Sequence, residues 1–195
     1  MIELKVINSE IRDCKKCGTD VANFPQPGHF KGKILIILQN PAYPRSMSLT
    51  QRQIIGSKQT LEEFQEDYKN RIYKSYMGTF VSMMFDNWDD ISITNIVKCP
   101  TFSNASPSQK ICSNCQSYTF QQIEQLQPKL IICVGHLCKK VIFDWDKKNK
   151  YQKIAIRHYG FLQRSGISLT EYTASVKRDI EKKLNVANNN LSKFV

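Results

Sequence analysis

Five consecutive aliphatic residues, Ile34-Leu35-Ile36-Ile37-Leu38, follow Gly32 and stop abruptly at Gln39-Asn40-Pro41. A strand with one wet face alternates apolar and polar residues. A continuous apolar run is instead buried on both faces, which is the pattern of a parallel sheet covered by helices. Three further segments read as strands, at 91–97, 130–134 and 154–157. Helical patterns lie between them. Segment 60–76 is polar and helical in part, and 78–87 brings Phe80, Met83 and Met84 to one face. Segment 107–126 carries a start signal, with Ser106 as the cap, Pro107 at the first helical position and Gln109 completing a capping box. A short helix over 137–143 follows Gly135. A last helix opens at Ser168-Leu169-Thr170-Glu171 and is expected to run to about 184, with the Asn-rich tail 185–195 fraying. Strands alternating with helices predict an α/β fold of three layers, a central four-stranded parallel sheet flanked by helices. In such sheets ligands bind beyond the carboxyl ends of the strands. Gln39-Asn40-Pro41, Asn95 and His158 fall at those ends.

The 195 residues suffice for one domain over 1–195 with a real core. Hydrophobic residues make up 41% and charged residues 23%, a globular balance. No apolar run is long enough to span a membrane, and residues 1–10 lack a signal-peptide core, so a cytoplasmic protein is expected. The net charge of +11 and pI near 9.3 favour a polyanionic partner, of which nucleic acid is the commonest. The Lys-rich runs at 147–153 and 177–183 read as solvated faces.

Seven cysteines without a secretory signal do not suggest a disulfide framework. Cys14 and Cys17 form a C-x-x-C pair in a Lys-rich turn, a natural chelating hairpin. Cys99, Cys112 and Cys115 follow far downstream. Two ligand sets are open on spacing alone. One pairs Cys14 and Cys17 with Cys112 and Cys115 around zinc. The other takes Cys14, Cys17, Cys99 and Cys115 as ligands of an iron–sulfur cluster. Cys133 and Cys138 read as small core residues.

Ile93-Thr94-Asn95-Ile96-Val97-Lys98-Cys99-Pro100 resembles the I-T-N-V-V-K-C-R-P segment of the family-4 (iron–sulfur) uracil-DNA glycosylases. Asn104 and Pro107 stand where that family has N-R-x-P, and Cys115 where it has its fourth cysteine. Gln122-Ile123-Glu124-Gln125-Leu126-Gln127-Pro128-Lys129 resembles its Q-L-E-L-L-R-P-K. Ser75-Tyr76-Met77-Gly78 is similar to P-F-V-G, and His158-Tyr159-Gly160-Phe161-Leu162-Gln163-Arg164 to H-P-x-Y-L-L-R. The resemblance spans about 12–164. It implies a uracil-DNA glycosylase-like fold, a monomer acting on DNA, and a [4Fe-4S] cluster held by Cys14, Cys17, Cys99 and Cys115, with Cys112 left out.

The resemblance also implies roles. Breaking an N-glycosidic bond requires a flipped nucleotide, a positioned water and stabilisation of the departing base. Asn40 is expected to hold the water, and His158 to donate to the base carbonyl as a neutral imidazole. Gln39, Tyr43, Tyr76 and Asn95 are expected to contact the base. Tyr76 would stack on it, worth roughly 1–3 kcal/mol, and Asn95 would read a pyrimidine edge with its amide. Phe161 and Leu162 are expected to wedge into the gap, and Arg157, Arg164 and Lys98 to contact phosphates. The expected activity is hydrolytic base removal, with no lysine serving as a Schiff-base nucleophile.

The sequence departs from the family at three places. Leu38-Gln39-Asn40-Pro41-Ala42 replaces G-E-A-P-G and is closer to the G-x-N-P-G of other branches, while Gln39 and Tyr43 resemble G-Q-D-P-Y-H. The chain is longer than the family pattern over about 44–74, an insertion beside the expected pocket that contains Arg45, Arg52 and Lys58. Tyr159 stands where the family has proline. These departures raise two alternatives: a glycosylase for bulky modified phage pyrimidines acting in defence, and a non-catalytic iron–sulfur DNA-binding module.

Overall fold

The apolar pentad forms the strand that its pattern predicts. β1 (Ile34–Leu38) sits inside a four-stranded sheet with β2 (Ile91–Asn95), β3 (Leu130–Val134) and β4 (Lys153–Ile156), in the order β2-β1-β3-β4. Every pairing is parallel. The computed structural model describes residues 3–18, 25–41, 60–102 and 105–191. Leu35, Ile36 and Ile37 are 0% exposed, so β1 is buried on both faces. Each such side chain contributes about 1.5–3 kcal/mol of burial.

The helices divide between the faces. α1 (Leu4–Arg12), α4 (Gln109–Leu126) and α5 (His136–Trp145) belong to one side, where Leu35, Ile37, Ile131 and Cys133 point. α2 (Leu61–Tyr73), α3 (Tyr76–Met84) and α7 (Leu169–Leu191) cover the other, against Ile36, Ile93, Ile132 and Ile154. A short α6 (Leu162–Ser165) precedes α7. This is the three-layer α/β fold that the strand pattern predicts.

Local signals explain most boundaries. Thr60 and Glu63 close a reciprocal capping box on α2, and Ser168 with Glu171 does the same for α7. α7 continues to Leu191, beyond the expected stop near 184. α4 starts later than expected: Ser108, not Ser106, accepts the Ile111 N–H, and Pro107 precedes the cap. β2 ends at Asn95, two residues short of the expected strand, because Lys98 folds back onto the Asn95 carbonyl. α3 begins two residues before the expected 78, at the Ser75 cap. Gly78 lets it approach the end of α2, since a Cβ there would stand 2.2 Å from the Tyr73 carbonyl.

The sequence pattern did not announce α1. It docks through Ile7 and Ile11, one turn apart, against Tyr118 of α4. Asn8 accepts from Gln122 Nε2 at 2.7 Å. The β2 edge of the sheet is also covered. His29 exchanges two backbone hydrogen bonds with Ile93, at 2.9 and 2.7 Å, in an antiparallel bridge.

Candidate active site

Parallel register brings the carboxyl ends of the strands level. Leu38 pairs with Asn95, so the Gln39-Asn40-Pro41 turn leaves the sheet beside the end of β2. The helices next in the chain after β1, α2 and α3, lie on one face, and α5, which follows β3, lies on the other. The order β2-β1-β3-β4 therefore changes direction between β1 and β3, the kind of switch point at which such sheets bind ligands.

The floor of the edge is a buried polar network. Lys98 Nζ donates to Thr94 Oγ1 at 2.8 Å, Gln122 Oε1 at 2.8 Å and the Asn95 carbonyl at 2.5 Å. Thr119 Oγ1 donates to that same carbonyl at 3.0 Å, and Gln122 Nε2 to the Pro27 carbonyl at 2.8 Å. Lys98 is 1% exposed, and burial pulls its ammonium down to about 7, offset in part by Cys115. The expectation of a phosphate contact at Lys98 is therefore corrected: its acceptors are inside the protein, where it ties β2 to α4.

Asn95 is fully buried. Its Nδ2 donates to the Tyr68 hydroxyl of α2 at 2.7 Å, and its Oδ1 has no partner among the described residues. Asn40 is half-buried; its Nδ2 donates to Thr101 Oγ1 at 3.1 Å and to the Pro41 carbonyl at 3.3 Å. Its Oδ1 accepts from Gln39 Nε2 at 3.1 Å. The amide is thus oriented from both ends, with one lone pair of Oδ1 still available.

The rim follows β4. A cleft of about 390 Å³ lies here, lined among others by Gly135, His136, Lys139, Arg157, His158 and Phe161. Gly135 has φ 88° at the entry to α5, a conformation costly for a side chain. His158 Nδ1 accepts the Gly160 N–H at 3.1 Å. The neutral ring therefore carries its proton on Nε2, free to donate. Desolvation of the ring against its neighbours lowers its pKa from 6.5 although its outer edge is exposed, which favours the neutral form at pH 7. Arg157 lies 4.5 Å over the Phe161 ring. Tyr76 is 44% exposed and packs on Tyr159 at 5.3 Å, and Tyr159 packs on His158 at 4.1 Å. Tyr76 is therefore a rim aromatic rather than a core one.

His158, Arg157 and Phe161 thus share the rim, while Asn40 and Asn95 stand at the ends of β1 and β2 and do not line this cleft. Leu162 is 5% exposed at the start of α6 and packs inward, which corrects its expected place in a wedge. Tyr43, Asn104, Arg45, Arg52, Lys58 and the side chain of Arg164 lie outside what the structure describes. Tyr68, Thr101 and the Lys98 partners Thr94 and Gln122 were not singled out as site residues in the sequence. The one available signal for Tyr68 was its spacing of four from Phe64 on α2, which marks the buried face but gives no sign of the hydrogen bond to Asn95.

None of the seven cysteines forms a disulfide. Cys17, Cys99 and Cys115 are buried in one large apolar cluster, and half-buried Cys14 packs against a separate one of Ile7, Ile11 and Tyr118. The Cys115 thiol is pushed up, first by burial and then by Cys17 and Cys14, while the Lys98 backbone N–H and ammonium pull it down. Cys115 therefore faces the C-x-x-C turn. Cys112 turns toward Cys138, whose thiol is raised by burial, then by Cys133 and more weakly by Cys112. Among the described residues no three His, Cys, Asp or Glu gather closely enough for a single metal ion. Cys17, Cys99 and Cys115 are buried thiols, and Cys115 takes the Lys98 backbone N–H, a donor set whose chemistry fits a metal or an iron–sulfur cluster.

The family model of the uracil DNA glycosylase superfamily matches residues 26–180. The chain belongs to the uracil-DNA glycosylase superfamily. The matched span contains Asn40, Asn95, Cys99, Cys115 and His158, and it begins after Cys14 and Cys17. The type-4 uracil-DNA glycosylase of Archaeoglobus fulgidus is 24% identical over 151 residues, covering 74% of this chain and 65% of that protein. The type-4 enzyme of Sulfurisphaera tokodaii is 25% identical over 151 residues, covering 73% of this chain and 59% of its own length. That of Saccharolobus solfataricus is 24% identical over 153 residues, covering 73% and 60%. The chain thus spans less than two thirds of the length of these relatives. Among the described residues no helix is long and apolar enough to cross a membrane.

Proposed function

We propose that this protein is a monofunctional DNA glycosylase that hydrolyses the N-glycosidic bond of a flipped-out uracil and leaves an abasic site. The observation that carries this reading is one edge of the sheet bearing two oriented amides, Asn40 and Asn95, and a neutral histidine with a free Nε2–H, in a chain of this superfamily. In this reading the base departs as an anion while the sugar becomes cationic. Asn40 Oδ1 holds the water that captures the sugar; an amide is too weak a base to do more, and a strong base is not needed. His158 Nε2–H meets the carbonyl oxygen where charge builds. Asn95 reads the base, Tyr76 stacks at the rim, and Arg157 meets phosphate beside Phe161. The sugar is captured by water, so borohydride should trap no protein–DNA adduct.

Cys14, Cys17, Cys99 and Cys115 would hold a [4Fe-4S] cluster. When bound it would supply a structural clip between the N-terminal turn, the loop after β2 and the start of α4. Four irons per chain and a brown colour would support it, and Cys115→Ser should bleach the protein while Cys112→Ser should not.

The deciding test is mass spectrometry of bases freed from DNAs containing uracil, mismatches, or hydroxymethylated and glucosylated pyrimidines. Uracil should be released, with Asn40→Ala and His158→Ala each slowing release about 10²-fold or more. Release of a bulky base but not uracil would instead favour a defence enzyme. DNA binding without any release would reduce the protein to a binding module.

A further inference from the structure

Helix α2 lies within the segment by which this chain exceeds the family pattern, yet it reaches the floor of the site. Tyr68 is 3% exposed and its hydroxyl accepts from Asn95 Nδ2 at 2.7 Å. The position is held from both sides. Arg71, one turn later, donates from Nη2 to Gln26 Oε1 at 2.8 Å, and the Gln26 N–H donates to the Lys98 carbonyl at 2.7 Å. The Asn95 backbone is fixed in turn by Lys98 and Thr119.

One end of the reader amide is therefore engaged before any base arrives. Its other end, Oδ1, is buried with no partner among the described residues. A buried acceptor left bare costs about 1–3 kcal/mol, so it is expected to serve a ligand. The Tyr68 oxygen is the acceptor in its bond to Asn95, which leaves its own proton to donate elsewhere.

We propose that Tyr68 is a specificity-determining residue: its hydroxyl replaces the donor end of the Asn95 amide, so that the pair reads a pyrimidine with Oδ1 accepting from N3–H and Tyr68 donating to O4. This rests on the glycosylase reading and extends it, because the residue lies on the inserted helix. The preferred substrate class is the 4-oxo pyrimidine, read by a hydroxyl that burial keeps protonated by raising it to about 12. A 4-amino base would present a donor to that donor.

The experiment compares kcat/KM on DNA containing uracil and DNA containing 4-thiouracil, whose sulfur is a poor acceptor, for the wild-type chain and for Tyr68→Phe. Any difference in leaving ability between the two bases is common to both proteins and cancels in the ratio. The uracil preference should fall about tenfold in Tyr68→Phe. Tyr68→Gln, which returns a donor on a flexible amide, should recover part of it and serves as the second variant if the phenylalanine chain does not fold. An unchanged ratio in a variant that still releases base overturns the role of Tyr68 alone. Failure of the wild-type chain to release either base overturns the glycosylase reading and this inference with it.

Discussion

The floor and the rim of this site are built from the same kinds of residue in opposite states. At the end of β2, Thr94, Asn95, Lys98, Thr119 and Gln122 are all buried, and their polar groups are spent mainly on one another. At the end of β4, Arg157 and His158 are exposed, and Tyr159 and Phe161 half-buried. A buried network keeps its geometry because each broken bond leaves an unsolvated group behind. An exposed rim can meet a polymer that arrives from solvent. On the glycosylase reading, discrimination among bases would belong to the floor and affinity for the strand to the rim.

The sharpest way to break that division is at His158, the one rim residue given a chemical task. His158→Ala should slow base release by about 10²–10³-fold, or about 2.7–4 kcal/mol of transition-state stabilisation. The melting temperature should hardly move, because the exposed side chain makes only local contacts, a bond to Gly160 and packing on Tyr159. The pH profile sharpens the same point. With a pKa below 6.5, His158 is neutral above that value, so release should be flat from about pH 6.5 to 8 and change only on acidification. A profile that bends between pH 7 and 8 would assign the titration to another group.

Lys98→Met should show the reverse behaviour. It removes one of two donors from both Gln122 Oε1 and the Asn95 carbonyl, which keep Thr94 and Thr119, and it opens the network at a cost of about 1–3 kcal/mol. The melting temperature should drop by roughly 5–10 °C. DNA affinity should stay close to wild type, which a phosphate-binding lysine would not allow. The smallest effect is expected at Arg157→Ala. Affinity for DNA should weaken modestly on every sequence, and the salt slope should decrease by about one, measured by binding titrations at several salt concentrations.

The sequence carried most of this fold because the fold is written in burial. A continuous aliphatic pentad needs cover on both faces, and the capping boxes at Thr60 and Ser168 are local chemistry. The positions of Asn40 and His158 at strand ends were legible for the same reason, while the roles expected of them came from the family resemblance. The role of Lys98 was not. A lysine in a basic chain reads as solvated, and only tertiary packing turns its ammonium onto Thr94 and Gln122. Tyr68 was hidden similarly: spacing marks it as buried, whereas its meeting with Asn95 depends on a chain separation of 27 residues. α1 was missed because two isoleucines one turn apart, among charges, make a weak pattern until α4 supplies their partner.

The bridge between His29 and Ile93 has a consequence for the protein in a crowd. The outer edge of β2 would otherwise present free N–H and C=O groups to any extended chain, the usual template for sheet-to-sheet aggregation. Here Ile93 is already engaged in both directions, Gly32 N–H takes the Ile91 carbonyl, and Lys31 N–H binds the Ser92 hydroxyl. A net charge of +11 favours gathering on a polyanion, where neighbouring copies would stand close together. Spending residues 29–32 on its own sheet withdraws the β2 edge from such encounters.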